Sequence, residues 1–162
     1  MQVTVILGSN AGDKRQLFSR AISILAGQGN RVLRKSSLYE TEPWGFESQE
    51  LFLNQAVIFE TSLVPGEFLQ LCLDTEQKLG RTRTPGVRYS SRTIDIDLLF
   101  WDSEIIDTPE LTIPHPRIAE RNFVLTPLRE IMPGFIHPVL KKNISELAGE
   151  CPDNLSVRQL PD

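Results

Sequence analysis

Apolar and polar positions alternate with period two over residues 2–8, 31–39, 51–61 and 92–100, and each run is bounded by glycine, proline, asparagine or aspartate. These are predicted strands. Between the first two, Asp13 followed by Gln16 marks a helix start, and Leu17, Ala21, Ile22 and Leu25 recur at helical spacing until Gly27 and Gly29. A second helix opens at Pro65, carries Phe68, Leu69, Cys72, Leu73 and Leu79 on one stripe, and stops at Gly80. The order strand, helix, strand, strand, helix, strand is that of a split β-α-β unit, so an α+β ferredoxin-like sandwich is expected, with a largely antiparallel sheet and two helices packed on one face. Beyond residue 101 the pattern is less regular. It predicts short strands at 104–107 and 155–160 and helices at 123–132 and 143–149, with Pro109, Pro114 and Pro116 punctuating the approach.

The last of the four long strands is unusual, because a run that reads as buried carries Asp95 and Asp97. Alternation puts both carboxylates on one face, about 7 Å apart or less, and sends Ile94, Ile96, Leu98 and Phe100 to the other. Their repulsion favours protonating one of them, whereas a hard divalent cation such as Mg²⁺ turns the same spacing into a binding site. A strand whose polar face is simply wet is the plain alternative.

Composition narrows the classes. At 162 residues, 40% hydrophobic and 23% charged, with mean hydropathy −0.17, the chain is expected to form one domain across residues 1–162 around a single core. No transmembrane run or secretory signal is visible, so a cytoplasmic protein without a membrane partner is expected. Cys72 and Cys151 are far apart and form neither a disulfide framework nor a zinc motif. A net charge of −4 and a pI near 5.3 argue against a general nucleic-acid binder. Yet Arg81, Arg83, Arg88 and Arg92 cluster just before the two aspartates, and arginine's planar fork suits phosphate.

Gly8 to Lys14 fails as a P-loop, since only three residues separate its glycines and Asp13 precedes Lys14; its glycines are expected to serve a strand-to-helix turn. A different phosphate route runs through the four arginines, Asp95, Asp97, His115 within Pro114-His115-Pro116, and Arg121 with Phe123. Phosphoryl transfer depends mainly on placed charge, which these residues supply. Two other readings use the same residues: a metal-dependent glycosyltransferase with its Asp-x-Asp, and a ferredoxin-like regulatory module that binds a small anion or nucleotide. The first normally needs a larger nucleotide-binding domain. The second leaves the paired carboxylates poorly explained.

The motifs Arg92-Thr93-Ile94-Asp95-Ile96-Asp97-Leu98, Leu111-Thr112-Ile113-Pro114-His115-Pro116 and Arg121-Asn122-Phe123-Val124-Leu125 are similar to those of 6-hydroxymethyl-7,8-dihydropterin pyrophosphokinases of folate biosynthesis. Gly8-Ser9-Asn10, Tyr39-x-Thr41-x-Pro43-x-Gly45, Phe52-Leu53-Asn54-x-Ala56-Val57 and Glu76-x-x-x-Gly80-Arg81-x-Arg83 fall in the same order, and the resemblance spans roughly residues 3–138. It implies transfer of the β,γ-pyrophosphoryl group of ATP, the co-substrate, to the hydroxymethyl group of the pterin. By the same resemblance two Mg²⁺ ions sit on Asp95 and Asp97, with Asp97 a candidate proton acceptor. Arg81, Arg92, His115 and Arg121 hold phosphates, and Glu76, Arg83 and Leu98 lie at the nucleotide. Arg81, Arg83, Arg92, Asp97 and His115 make the catalytic set. The pterin falls to Thr41, Glu42, Trp44, Phe52, Asn54, Asp95 and Phe123: two aromatic rings stack the flat bicycle, and an amide reads its mixed donor and acceptor edge. Phe52 stands where a tyrosine is often found, which keeps the stacking and drops a hydroxyl. Small-molecule substrates and a monomeric state are expected.

Overall fold

The computed structural model describes residues 1–41, 51–80 and 94–161. The predicted alternation appears as β1 (Gln2–Ser9), β2 (Arg31–Lys35), β3 (Tyr39–Thr41), β4 (Phe52–Glu60) and β5 (Asp95–Trp101). The run at 31–39 is thus two strands rather than one, interrupted where the Ser36 hydroxyl accepts the Ala56 N–H at 3.0 Å and Gln55 Nε2 donates to the Ser36 carbonyl. The Ser36 N–H also donates to the Ala56 carbonyl at 2.8 Å, so these bonds to β4 hold the break between the two pieces, and both meet β4.

Helix α1 (Lys14–Ala26) starts where Asp13 accepts the Gln16 N–H at 3.2 Å, and α2 (Pro65–Lys78) has proline at its first turn, with the Glu67 carboxylate accepting the Val64 N–H. The remaining elements are β6 (Ile106–Asp107), β7 (Thr112–Ile113), a 3-10 turn (Ile118–Glu120), α3 (Asn122–Ile131), α4 (Ile144–Glu150) and β8 (Val157–Gln159). The strands at 112–113 and the 3-10 turn are too short to leave a periodic trace.

In the main sheet the order is β5-β1-β4-β3-β8, with β2 also pairing β4, and every pairing among the described residues is antiparallel. One face carries Val3, Val5, Leu7, Leu53, Val57, Phe59, Ile94, Ile96 and Leu98 against α1 and α2. Phe68 of α2 meets Phe59 at 5.9 Å and Trp101 edge-on at 6.0 Å, geometries that favour aromatic pairs. The two helices of the split β-α-β unit thus lie on one face as expected, and the other face is covered by the later helices. There α3 and α4 bury Val124, Leu125, Leu128, Ile131, Ile144 and Leu147 on Ile6, Ala56, Ile58, Leu99 and Phe100.

Phe100 therefore lies opposite to where simple alternation puts it. Val5 pairs with Leu98 but Thr4 pairs with Phe100, so Leu99 is an extra residue in β5. A bulge of this kind reverses the facing of everything beyond it. Ile94, Ile96 and Leu98 keep the α1/α2 face, while Leu99 and Phe100 both join the α3 side.

Beside Phe100 the chain turns back through buried His137, whose ring packs edge-on at 5.7 Å and whose Nδ1 accepts the N–H groups of Val139 and Leu140 at 3.2 and 3.1 Å. Burial pushes its pKa below the ordinary 6.5. The unfolded chain then takes up this proton before the folded one does, so stability is full above about pH 6.5 and declines as the pH falls below it. His137→Asn keeps an acceptor near Nδ1 and removes the titration. Its melting temperature is expected to fall less steeply than the parent's from neutral to mildly acidic pH, and parallel slopes would refute the assignment to His137.

Candidate active site

The site is built across the strands on the α3 side of the sheet. Residues facing one another in antiparallel register share a face, and the pairs Asp95 with Gly8, Gly8 with Asn54, and Asn54 with Tyr39 draw one row across four strands. Asp97 pairs with Ile6 and Ile6 with Ala56 in the next row on that face. Above these rows opens a cavity of about 170 Å³ lined by Ile6, Gly8, Thr41, Phe52, Asn54, Asp95, Asp97, Leu99, His115, Arg121, Phe123 and Val124. Eight of the residues singled out in the sequence meet there, although they come from β3, β4, β5, α3 and the segments before it.

Asn54 is buried and its amide is oriented from two sides. Nδ2 donates to Thr41 Oγ1 at 3.4 Å, while Oδ1 faces Gly8, where an added Cβ would lie 3.2 Å from it. Gly8 thus belongs to β1 and not to the strand-to-helix turn; that turn uses Gly12, whose φ is +72°. Glycine at residue 8 lets the backbone pass close beneath the amide. Gly8→Ala is expected to crowd Asn54 and raise the KM for whichever substrate it reads by about fivefold to tenfold, with a far smaller change in melting temperature. An unchanged KM would remove this constraint.

Phe123 follows the first residue of α3, and the Arg121 guanidinium carbon lies 5.6 Å from the centre of its ring, a cation–π contact. Phe52 enters from the first position of β4, half-buried. Aromatic side chains thus reach the cavity from both the sheet and α3, with the Asn54 amide on the floor.

The charged members form a second group. Asp95 is half-buried and Asp97 exposed on the cavity face of β5. His115 is held by its backbone N–H donating to the Leu99 carbonyl at 3.1 Å, and its Nδ1 accepts the Arg117 N–H at 3.2 Å. The neutral ring therefore carries its proton on Nε2, as a donor. Burial lowers the His115 pKa, Asp97 opposes that shift, and Arg121 and Arg117 reinforce it. Burial likewise lowers the Arg121 pKa, with Arg117 adding to the effect and Asp97 counteracting it; a guanidinium still stays charged. Carboxylate, imidazole and guanidinium are therefore electrostatically coupled.

Among the described residues no three carboxylate, imidazole or thiolate groups gather into a metal cluster. Two carboxylates on one cavity face nevertheless suit Mg²⁺, which is commonly held by one or two protein carboxylates with the rest of its octahedron completed by water and substrate phosphate. The donor set fits a metal that arrives with an anionic ligand.

Two other nominated residues are placed elsewhere. Glu76 is buried on α2, and Leu98 packs in the core between the sheet and α2; neither lines the cavity, so Leu98 offers it no side chain. Arg81, Arg83, Arg92, Glu42 and Trp44 lie outside the described residues. Ile6, Gly8, Leu99 and Val124 line the cavity without having been nominated. For Ile6, Gly8 and Leu99 the signal was available, since Ile6 and Gly8 share the cavity face of β1 and alternation puts Leu99 on the face of Asp95 and Asp97.

The model of the family 7,8-dihydro-6-hydroxymethylpterin-pyrophosphokinase (HPPK) matches residues 4–133. The chain is 47% identical over 128 residues to 2-amino-4-hydroxy-6-hydroxymethyldihydropteridine pyrophosphokinase of Bacillus subtilis, covering 78% of this chain and 75% of that one. The protein of the same name from Porphyromonas gingivalis is 42% identical over 138 residues, covering 84% and 93%, and that of Aquifex aeolicus 38% identical over 144 residues, covering 89% and 88%. Among solved structures, Plasmodium falciparum HPPK-DHPS with pteroate superposes with a TM-score of 0.72 at 16% identity, covering 92% of this chain. That likeness concerns the fold alone, and this chain spans 42% of the Plasmodium chain.

Proposed function

This chain belongs to the 7,8-dihydro-6-hydroxymethylpterin-pyrophosphokinase family, and we propose that its cavity is where the β,γ-pyrophosphoryl group of ATP passes to the hydroxymethyl oxygen of 6-hydroxymethyl-7,8-dihydropterin, a step of folate biosynthesis. The observation that carries this reading is the meeting, in one cavity, of two aromatic side chains and a fixed amide with paired carboxylates, an imidazole donor and an arginine. Flat-ring recognition and polyphosphate recognition are thereby brought side by side.

The pterin stacks between Phe52 and Phe123 while Asn54, held by Thr41, pairs with its edge. Glu42 and Trp44 complete this pocket, and Asp95 faces the hydroxymethyl group. Arg81, Arg83, Arg92 and Glu76 serve the nucleotide, joined by His115, Arg121 and the main chain of Leu98. Asp95 and Asp97 would hold two Mg²⁺ ions. Bound there, Mg²⁺ would screen the polyphosphate and, by polarising its oxygens, open the β-phosphorus to attack. In the transfer the hydroxyl oxygen bonds to the β-phosphorus, the bond from that phosphorus to the α–β bridging oxygen breaks, and AMP leaves with its electrons. The hydroxyl proton passes to Asp97 or to water at the cavity mouth. The guanidinium of Arg121 and the Nε2–H of His115 stabilise charge on the moving group, donors already in place before reaction.

We further read the chain as a cytoplasmic monomer acting through one domain. Two free cysteines, Cys72 and Cys151, support the cytoplasmic part of that reading. Among the described residues no helix is long and apolar enough to cross a membrane.

Incubation of the protein with ATP, Mg²⁺ and the pterin, followed by ³¹P NMR, tests the reaction. Pterin-dependent AMP is expected. ADP would mean ordinary phosphoryl transfer at the same site, and no nucleotide product from a folded sample would favour the binding-module reading.

A further inference from the structure

The family match ends at residue 133, yet the chain beyond it reaches back to the site. Helix α3 begins with no side-chain cap from Arg121. Its first turn is tied instead by Asp153, thirty-one positions away: Oδ2 accepts the Asn122 N–H at 3.0 Å, and the Asp153 carbonyl accepts Asn122 Nδ2 at 2.7 Å. The other carboxylate oxygen, Oδ1, accepts the Leu155 N–H at 2.9 Å, so both oxygens are engaged and the 153–155 turn is closed. From there β8 pairs with β3, Val157 opposite Thr41, with Arg158 bonded to Glu40 and the Leu160 N–H donating to the Leu38 carbonyl. One short stretch thus ties together the start of α3, which carries Phe123, and the end of β3, which carries Thr41.

We propose that Asp153 is a positioning residue for the aromatic wall of the cavity: its carboxylate orients the first turn of α3 and so sets how the Phe123 ring faces the substrate. This rests on the pterin reading above. A carboxylate that accepts an otherwise unpartnered N–H at a helix start is favoured both by that bond and by the helix dipole, and losing it lets the first turn fray. Phe123 is the next residue along, so fraying displaces its ring before any other part of the helix.

The decisive experiment is a double-mutant cycle on the KM for pterin with Asp153→Ala and Phe123→Ala, read by AMP release. Asp153→Ala is expected to raise that KM by about fivefold to tenfold, with a smaller change in kcat, when Phe123 is present. In the Phe123→Ala background it is expected to change KM by less than about twofold, because the ring through which it acts is gone. Equal factors in the two backgrounds would overturn the proposal, since general loosening of the fold acts regardless of residue 123. Should Asp153→Ala fail to fold, Asp153→Asn, which keeps one acceptor oxygen of two, takes its place in the same cycle under the same criterion. An active parent whose KM is unchanged by the substitution sinks this inference alone, whereas a parent that releases no pterin-dependent AMP takes the pterin reading down with it.

Discussion

Asp97→Ala is expected to lower pterin-dependent AMP release by roughly three orders of magnitude, and Asp95→Ala by a similar factor, with both variants melting within a few degrees of the parent. The size follows from the several kcal/mol that placed cations contribute where phosphate charge is transferred, each 1.36 kcal/mol being tenfold in rate. The small stability cost follows from position. Asp97 is exposed and Asp95 half-buried, and neither belongs to the apolar clusters on the two faces of the sheet. Removing one of two like charges on the same strand face also relieves repulsion. AMP release under saturating ATP and Mg²⁺, beside a thermal melt, separates the two effects. A parental rate in either variant would dismiss the carboxylates from the chemistry, and a collapsed fold would mean they are structural.

Arg121→Ala is expected to cost about a hundredfold to a thousandfold in turnover, the scale for a preorganised donor lost from a transition state. Three features make this arginine more than a surface cation. It stands at the start of α3, it lies over the Phe123 ring, and its charge is felt by both His115 and Asp97. Arg121→Lys is expected to recover little, because a point charge on a flexible stem replaces neither the planar fork nor its stacking on the ring. Kinetics of the alanine and lysine variants check this, and near-parental turnover in Arg121→Lys would reduce the residue to a diffuse positive charge. A moderate rise in the KM for pterin accompanies the loss in either case, since Phe123 forfeits its cationic neighbour.

Much of the molecule was readable along the chain because its signals are local. Asp13 with Gln16, Pro65 and Gly80 marked the helix ends through capping, a preset φ and a positive φ of +123° at Gly80. Alternation found the strands, and the spacing of Asp95 and Asp97 put both on one face, where the cavity has them. The failures share another cause. The bulge at Leu99 appears only when β5 is laid against β1, and it moved Phe100 to the other side of the sheet. The crowding that a side chain at residue 8 would meet comes from Asn54, forty-six positions along, so it cannot be seen in the neighbours of Gly8. The division of 31–39 into two strands rests likewise on Gln55 and Ala56.

By itself the sequence determined where the long strands and the helices lie, that a strand would present two carboxylates to one side, and which aromatic, amide and basic residues were candidates for the site. Those properties depend on backbone periodicity and side-chain chemistry, which act over a few residues. The tertiary structure alone decided that Phe52, Asn54 and Phe123 surround the same space as Asp95, Asp97, His115 and Arg121, that Phe100 joins the α3 side beyond the bulge, and that Asp153 holds the start of α3. Cross-strand register and the docking of α3 on the sheet set those relations, and both arise from burying surfaces contributed by residues distant along the chain, where no local pattern carries their record.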